Sequence, residues 1–193
     1  YTTPTQGCQK GYAAGSTDTF LRKYLLGKGH AVFTSPAMIG KEPVPATGDK
    51  SMGPFGNCPA ALPVEMTVDS KGDIAMAGVH LANFIKYLVA THKVGQIDFV
   101  AHSMGGLYSR AAIAQLQQSN PALKINLLTT LATPWNGVAF ANYRCNQIND
   151  QFCTLLQNDF ASGDILSQLK RENIAALNRK NAGVLTDIPV TLI

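Results

Sequence analysis

The chain has 193 residues, 46% of them hydrophobic and 15% charged, and a formal net charge of +4. That is ample material for one buried core, and the length alone calls for no second one, so a single domain over 1–193 is expected. Lys and Arg never cluster beyond pairs such as Arg22-Lys23 and Arg179-Lys180, which excludes the concentrated basic footprint of a nucleic-acid-binding protein.

No apolar stretch approaches the roughly 18 residues that cross a bilayer. The chain begins Tyr1-Thr2-Thr3 with neither initiator Met nor a charged-then-apolar leader, so any signal peptide is expected to have been removed. The four cysteines are Cys8, Cys58, Cys145 and Cys153. Of the three connectivities they allow, Cys8-Cys58 and Cys145-Cys153 are favoured, because the second pair brackets the short polar segment Asn146 to Phe152. Buried thiols are the alternative, but Cys8 and Cys58 lie in Gly/Pro-rich loop sequence, which favours disulfides and secretion to an extracellular or periplasmic compartment.

In chain order, Ser16 is an N-cap candidate, and Phe20, Leu21, Tyr24 and Leu25 recur at helical spacing before Gly27 and Gly29 supply a stop. His30 to Thr34 reads as a short buried strand, and the Pro- and Gly-rich stretch from Pro36 to Pro63 as loop. The clearest periodicity is Ile74, Ala77, Leu81, Phe84 or Ile85, and Leu88, a helix that starts after Asp69-Ser70 and ends near Gly95. Ile97 to Ala101 is a strand running almost directly into a helix over Ser103 to Gln118, whose Gly105, Gly106, Ala111, Ala112 and Ala114 permit close packing. Asn120-Pro121 breaks that helix, Ile125 to Leu131 is an apolar strand, and Thr133 to Gly137 is the loop behind it. A helical segment through Ile165, Leu169, Ile174 and Leu177 follows, and Ile188 to Ile193 is a last strand. Strands alternating with helices predict an α/β fold: a mostly parallel sheet with helices on both faces and right-handed crossovers.

The junction of strand and helix at Ala101-His102-Ser103-Met104-Gly105 carries the chemistry. A serine hydroxyl is a weak nucleophile, and an enzyme that uses it must expose it to a base and place backbone N–H groups where negative charge develops. A sharp strand-to-helix turn does both, with small residues expected two places before and after the serine, here Ala101 and Gly105. Helix capping by Ser103 is the plainer alternative.

Ala101-His102-Ser103-Met104-Gly105-Gly106 resembles the nucleophile elbow of bacterial lipases in the α/β-hydrolase superfamily. Two further segments resemble the same lipases: Gly72-Asp73-Ile74 through His92, and Gly163-Asp164-Ile165-Leu166 with Leu169 and Asn178. Leu131-Ala132-Thr133-Pro134-Trp135-Asn136-Gly137 is similar to their Gly-Thr-Pro-His-x-Gly loop, with Trp135 where histidine is frequent. The resemblance implies a secreted lipase or carboxylesterase acting on lipid or other esters without metal or cofactor, with Ser103 as nucleophile and Met104 and Tyr1 as oxyanion donors. Trp135 and Phe140 are the substrate contacts it suggests, and 138–160 a lid over the site. A monomer with transient contact to a lipid interface is expected.

In this superfamily the order along the chain is Ser, then Asp or Glu, then His, yet no histidine follows His102. His30, His80, His92 and His102 are all assigned to packing or surface, and neither Asp187 nor the other carboxylates after Ser103 to the triad acid. The expectation is a fold incomplete at both ends, with acid and histidine beyond Ile193. A polyester depolymerase, a thioesterase, or a non-catalytic binding protein on the same fold are the alternatives.

Overall fold

The computed structural model describes residues 19–33, 35, 38–39, 42–43, 64–69, 72–142 and 163–193. The chain divides into two compact units, Tyr1–Ser70 with Val79–His92, and Lys71–Gly78 with Lys93–Ile193.

In the first unit, helix α1 (Thr19–Gly27) ends where the glycines predict. Gly29 adopts a left-handed φ of 87°, the His30 N–H donates to the Leu25 carbonyl at 3.1 Å, and the Gly29 N–H donates to Leu26 at 3.0 Å. These paired bonds satisfy the orphan carbonyls of a helix end. Residues 30–33 form no strand, contrary to the sequence expectation. No partner strand lies beside them among the described residues, and Phe33 instead sets its ring 5.2 Å from that of His92. Within the segment expected to be loop, β1 (Met38–Ile39) and β2 (Glu42–Pro43) pair antiparallel. A 3-10 turn, Val64–Met66, is tied to the following helix by Asn83 Nδ2 donating to the Glu65 carbonyl at 3.0 Å and by His80 Nδ1, 2.8 Å from the Thr67 carbonyl.

Helix α2 (Ile74–His92) belongs to both units. Its start lies at Asp73, four residues beyond the predicted Asp69, because Asp73 is extended and its Oδ1 accepts the Met76 N–H at 2.7 Å. Contrary to the sequence expectation, α2 is by length and composition alone long and apolar enough to cross a membrane. Its apolar stripe, Ile74, Ala77, Leu81, Phe84, Ile85 and Leu88, is buried inside the molecule, however, as the core-facing side of an amphipathic helix is.

The second unit holds a three-stranded parallel sheet in the order β3 (Gln96–His102), β4 (Lys124–Leu131), β5 (Val190–Leu192). Helix α3 (Gly105–Ser119) connects β3 to β4 and packs on both strands. Helices α4 (Gly163–Gln168) and α5 (Arg171–Lys180) lie between β4 and β5 in the chain. Leu107, Ile113, Leu116, Leu128, Ile165 and Ile174 are almost wholly buried, each worth about 1.5–3 kcal/mol of transfer free energy. Where α2 begins, Gly78 lies so close to α3 that an added Cβ would stand 2.5 Å from that of Ala111. Only hydrogen fits there.

Candidate active site

β3 and β4 run in register, His102 opposite Leu131, and break at the same level. Ser103 and Ala132, the next residue on each strand, both take left-handed backbones, φ 54° and 50°. Such conformations cost an L-residue about 1–2 kcal/mol and persist only where neighbours over-determine them. Three bonds do so at Ser103. Its N–H donates to the Leu131 carbonyl at 2.8 Å, its carbonyl accepts the Gly106 N–H at 3.2 Å, and the same carbonyl accepts the Thr133 hydroxyl at 2.8 Å. The turn therefore carries the chain from strand to helix within two residues, and Ser103 and His102 end exposed at the carboxyl edge of the sheet.

Met104 supplies the contrast. Its side chain is buried in the cluster formed by Ile74, Leu107, Ala141, Ile165, Leu169 and Ile174, while its backbone N–H, at the start of α3, finds no acceptor among the described residues. An anchored side chain beneath a free amide at a helix N-terminus is an arrangement suited to negative charge.

The small residues around the serine serve a different contact from the one the sequence suggests. A Cβ added at Gly105 would lie 3.5 Å from that of Ala101, ordinary contact, whereas one at Gly106 would lie 2.4 Å from Thr133 Oγ1 and 2.6 Å from its Cγ2. Gly106, not Gly105, is the position that admits no side chain. One turn further, Tyr108 is half-buried, and desolvation of its phenol pushes its pKa up to about 12.

Trp135 is committed within the protein. Its indole N–H donates to the Thr130 hydroxyl at 3.3 Å, and the Arg110 guanidinium lies 4.9 Å from its ring centroid. Its carbonyl accepts Asn178 Nδ2 at 2.9 Å, and Arg110 Nη2 donates to Asn178 Oδ1 at 2.8 Å. Burial lowers the Arg110 pKa from its ordinary value. Phe140 sits half-buried in a 3-10 turn, Ala139–Asn142, which begins with the Val138 N–H bonded to the Leu169 carbonyl at 3.0 Å. The first residues of the expected lid are thus fastened to the core.

Tyr1, Cys8, Cys58, Cys145, Cys153 and the remainder of 138–160 lie outside the described residues. His80 and His92 are engaged as structural groups, His80 with the Thr67 carbonyl and His92 with the rings of Phe33 and Tyr87. Asp187 lies in the turn before β5. Among the described residues no group of three or more His, Cys, Asp or Glu could hold a metal ion. Sequence reasoning passed over Arg110 and Ala132. The signal for Arg110 was a charge among the apolar positions of α3.

Residues 64–172, more than half of the chain, match the model of the family described as "Putative serine esterase (DUF676)". The fold is similar to the crystal structure of the Bacillus licheniformis lipase BlEst2 in mature form, with a TM-score of 0.50 and 17% identity over 62% of this chain and 47% of that one. The match thus spans about half of that lipase. No curated protein matches by sequence. At this identity the likeness concerns architecture, and the architecture is that of the α/β-hydrolases.

Proposed function

Since the chain belongs to the family described as "Putative serine esterase (DUF676)", we propose that it cleaves lipid esters, acylglycerols among them, through an acyl-enzyme on Ser103. The observation that carries this reading is the exposed serine at φ 54° between β3 and α3, beside a Met104 N–H without an acceptor. On it, Ser103 Oγ attacks the ester carbonyl carbon and the carbonyl oxygen becomes an oxyanion. The Met104 N–H and the N-terminus of α3 receive that charge without having to reorganise. A histidine takes the serine proton and passes it to the departing alcohol, leaving the acyl group on Oγ. Water, deprotonated by the same histidine, then releases the carboxylic acid and restores the serine.

The chain has no histidine after His102, so the proposal assigns the base and its carboxylate partner to sequence following Ile193. A second oxyanion donor is assigned to Tyr1. Phe140 is the acyl contact. Trp135, with its indole N–H and one ring face engaged within the protein, is the second substrate contact. The four cysteines favour export to an oxidising compartment, with Cys8-Cys58 and Cys145-Cys153 as the bridges. The proposal takes the protein to be a monomer that meets its substrate transiently at a lipid interface.

The test is hydrolysis of short-chain nitrophenyl esters and of emulsified triacylglycerol by the protein with its full reading frame, against Ser103→Ala. Loss of kcat by about 10⁴-fold or more is expected with the melting temperature retained. Equal rates for the two proteins would sink the proposal. Activity on nitrophenyl esters without activity on triacylglycerol would leave an esterase and remove the lipase.

A further inference from the structure

Arg110 lies two helical turns beyond Ser103 on α3 and is only 7% exposed. No carboxylate pairs with it among the described residues, and its Nε is buried without any hydrogen-bond partner. A guanidinium taken out of water without a counter-ion is destabilising unless its charge is met in another way. Two neutral groups meet it here: the face of Trp135 at 4.9 Å and the side-chain oxygen of Asn178 at 2.8 Å from Nη2.

The three residues close a ring. Asn178 accepts from Arg110 through Oδ1 and donates through Nδ2 to the Trp135 carbonyl at 2.9 Å. Because a guanidinium only donates and a carbonyl only accepts, this is the one orientation of the amide that satisfies both. The ring joins α3, α5 and the loop after β4. From Trp135 the linkage continues to the serine, since the Trp135 N–H donates to the Thr133 carbonyl at 2.8 Å and the Thr133 hydroxyl donates to the Ser103 carbonyl at 2.8 Å. Thr133 is held from the other side by Gly106, against which it packs too closely for a Cβ to intervene.

We propose, on the reading that Ser103 is the nucleophile, that Arg110 is a positioning residue for ester hydrolysis: by gripping Trp135 and Asn178 it holds the 132–137 loop where the Thr133 hydroxyl fixes the Ser103 turn. The requirement for arginine is specific. Lysine would keep the charge but lose the planar fork that stacks on a ring and donates in its own plane. The linkage acts on the backbone angle of the nucleophile rather than on substrate binding. Its loss therefore falls on kcat, where misplacement of a reacting atom by about 1 Å costs up to about 100-fold.

Trp135 is the chain's single tryptophan, so the cluster has its own optical signal once Trp135→Phe provides the blank. The experiment compares the protein with Arg110→Met, Arg110→Lys and Thr133→Val by Trp135 emission, acrylamide quenching, circular dichroism, and kcat and KM on a nitrophenyl ester. Both Arg110 variants should shift the emission, raise quenching, and lower kcat at least about tenfold with KM within about twofold. Thr133→Val should lower kcat similarly with the emission little changed, and combining it with Arg110→Lys should add little, as for members of one linkage. Folded Arg110 variants whose kcat stays within twofold of the parent would overturn the proposal. If Arg110→Met does not fold, Arg110→Lys and Thr133→Val decide it. Should Ser103→Ala retain activity, the nucleophile assignment itself fails, whereas an unchanged Trp135 signal in the Arg110 variants defeats only the positioning role.

Discussion

Ser103 and Ala132 carry the same backbone strain for different reasons. At Ser103 the left-handed angle exposes a hydroxyl that glycine could not provide, and on the proposal that this hydroxyl is the nucleophile the strain is retained with it. Ala132 contributes a methyl group only, and it occupies the place of the first glycine in the lipase-like Gly-Thr-Pro-His-x-Gly loop. Glycine adopts φ 50° without the steric penalty of about 1–2 kcal/mol, while giving back about 0.4–1 kcal/mol through the entropy of the unfolded chain. Ala132→Gly should therefore stabilise the fold by up to about 1 kcal/mol, raising the melting temperature by about 2–4 °C for a chain of this size. Calorimetry of the two proteins checks it, and a lower melting temperature for the glycine variant would contradict the strain argument.

At the level of elements, α2 shows how a helix start is chosen. Asp69, Ser70 and Asp73 all offer capping side chains, and the sequence expectation places the start at the earlier pair. The later residue prevails because it is supported from outside: Gln168 accepts the Ile74 N–H at 2.8 Å and donates to the Gly72 carbonyl at 3.2 Å, satisfying groups next to the cap that a helix end leaves orphaned. Asp73→Ala removes only the Oδ1 bond to Met76 and should cost about 1 kcal/mol. Asp73→Asn should recover most of that, and urea titrations of the three proteins measure both; a neutral Asp73→Ala would mean that Gln168 alone fixes the start. The periodic elements were legible because α2, β3, α3 and β4 advertise their buried faces in their own residues. The strand expected at His30–Thr34 is not formed over residues 30–33, which have no partner strand among the described residues, and a strand exists only with a partner. The Arg110 cluster was hidden for a related reason, since its members are brought together across separations of 68 and 43 residues, which no local pattern reports.

Over the whole second unit, one arrangement accounts for the place of the site and for its stability. Parallel strands bring their carboxyl ends to one edge, and loops at that edge are where α/β sheets carry their ligands. Ser103 and Ala132 lie there. The Ser103 amide is bonded to the Leu131 carbonyl of β4 at 2.8 Å. β4 has a strand on each side and contains Leu128 and Thr130, 0% and 1% exposed. Exchange protection follows burial and the number of neighbouring strands. Native-state hydrogen exchange should accordingly find the β4 amides near Leu128 opening only with global unfolding, and the Ser103 amide following them, so that the serine turn stays bonded as long as the sheet does. A Ser103 amide that exchanges orders of magnitude sooner than that of Leu128 would contradict this, and would mean that the left-handed turn opens independently of the strand that holds it.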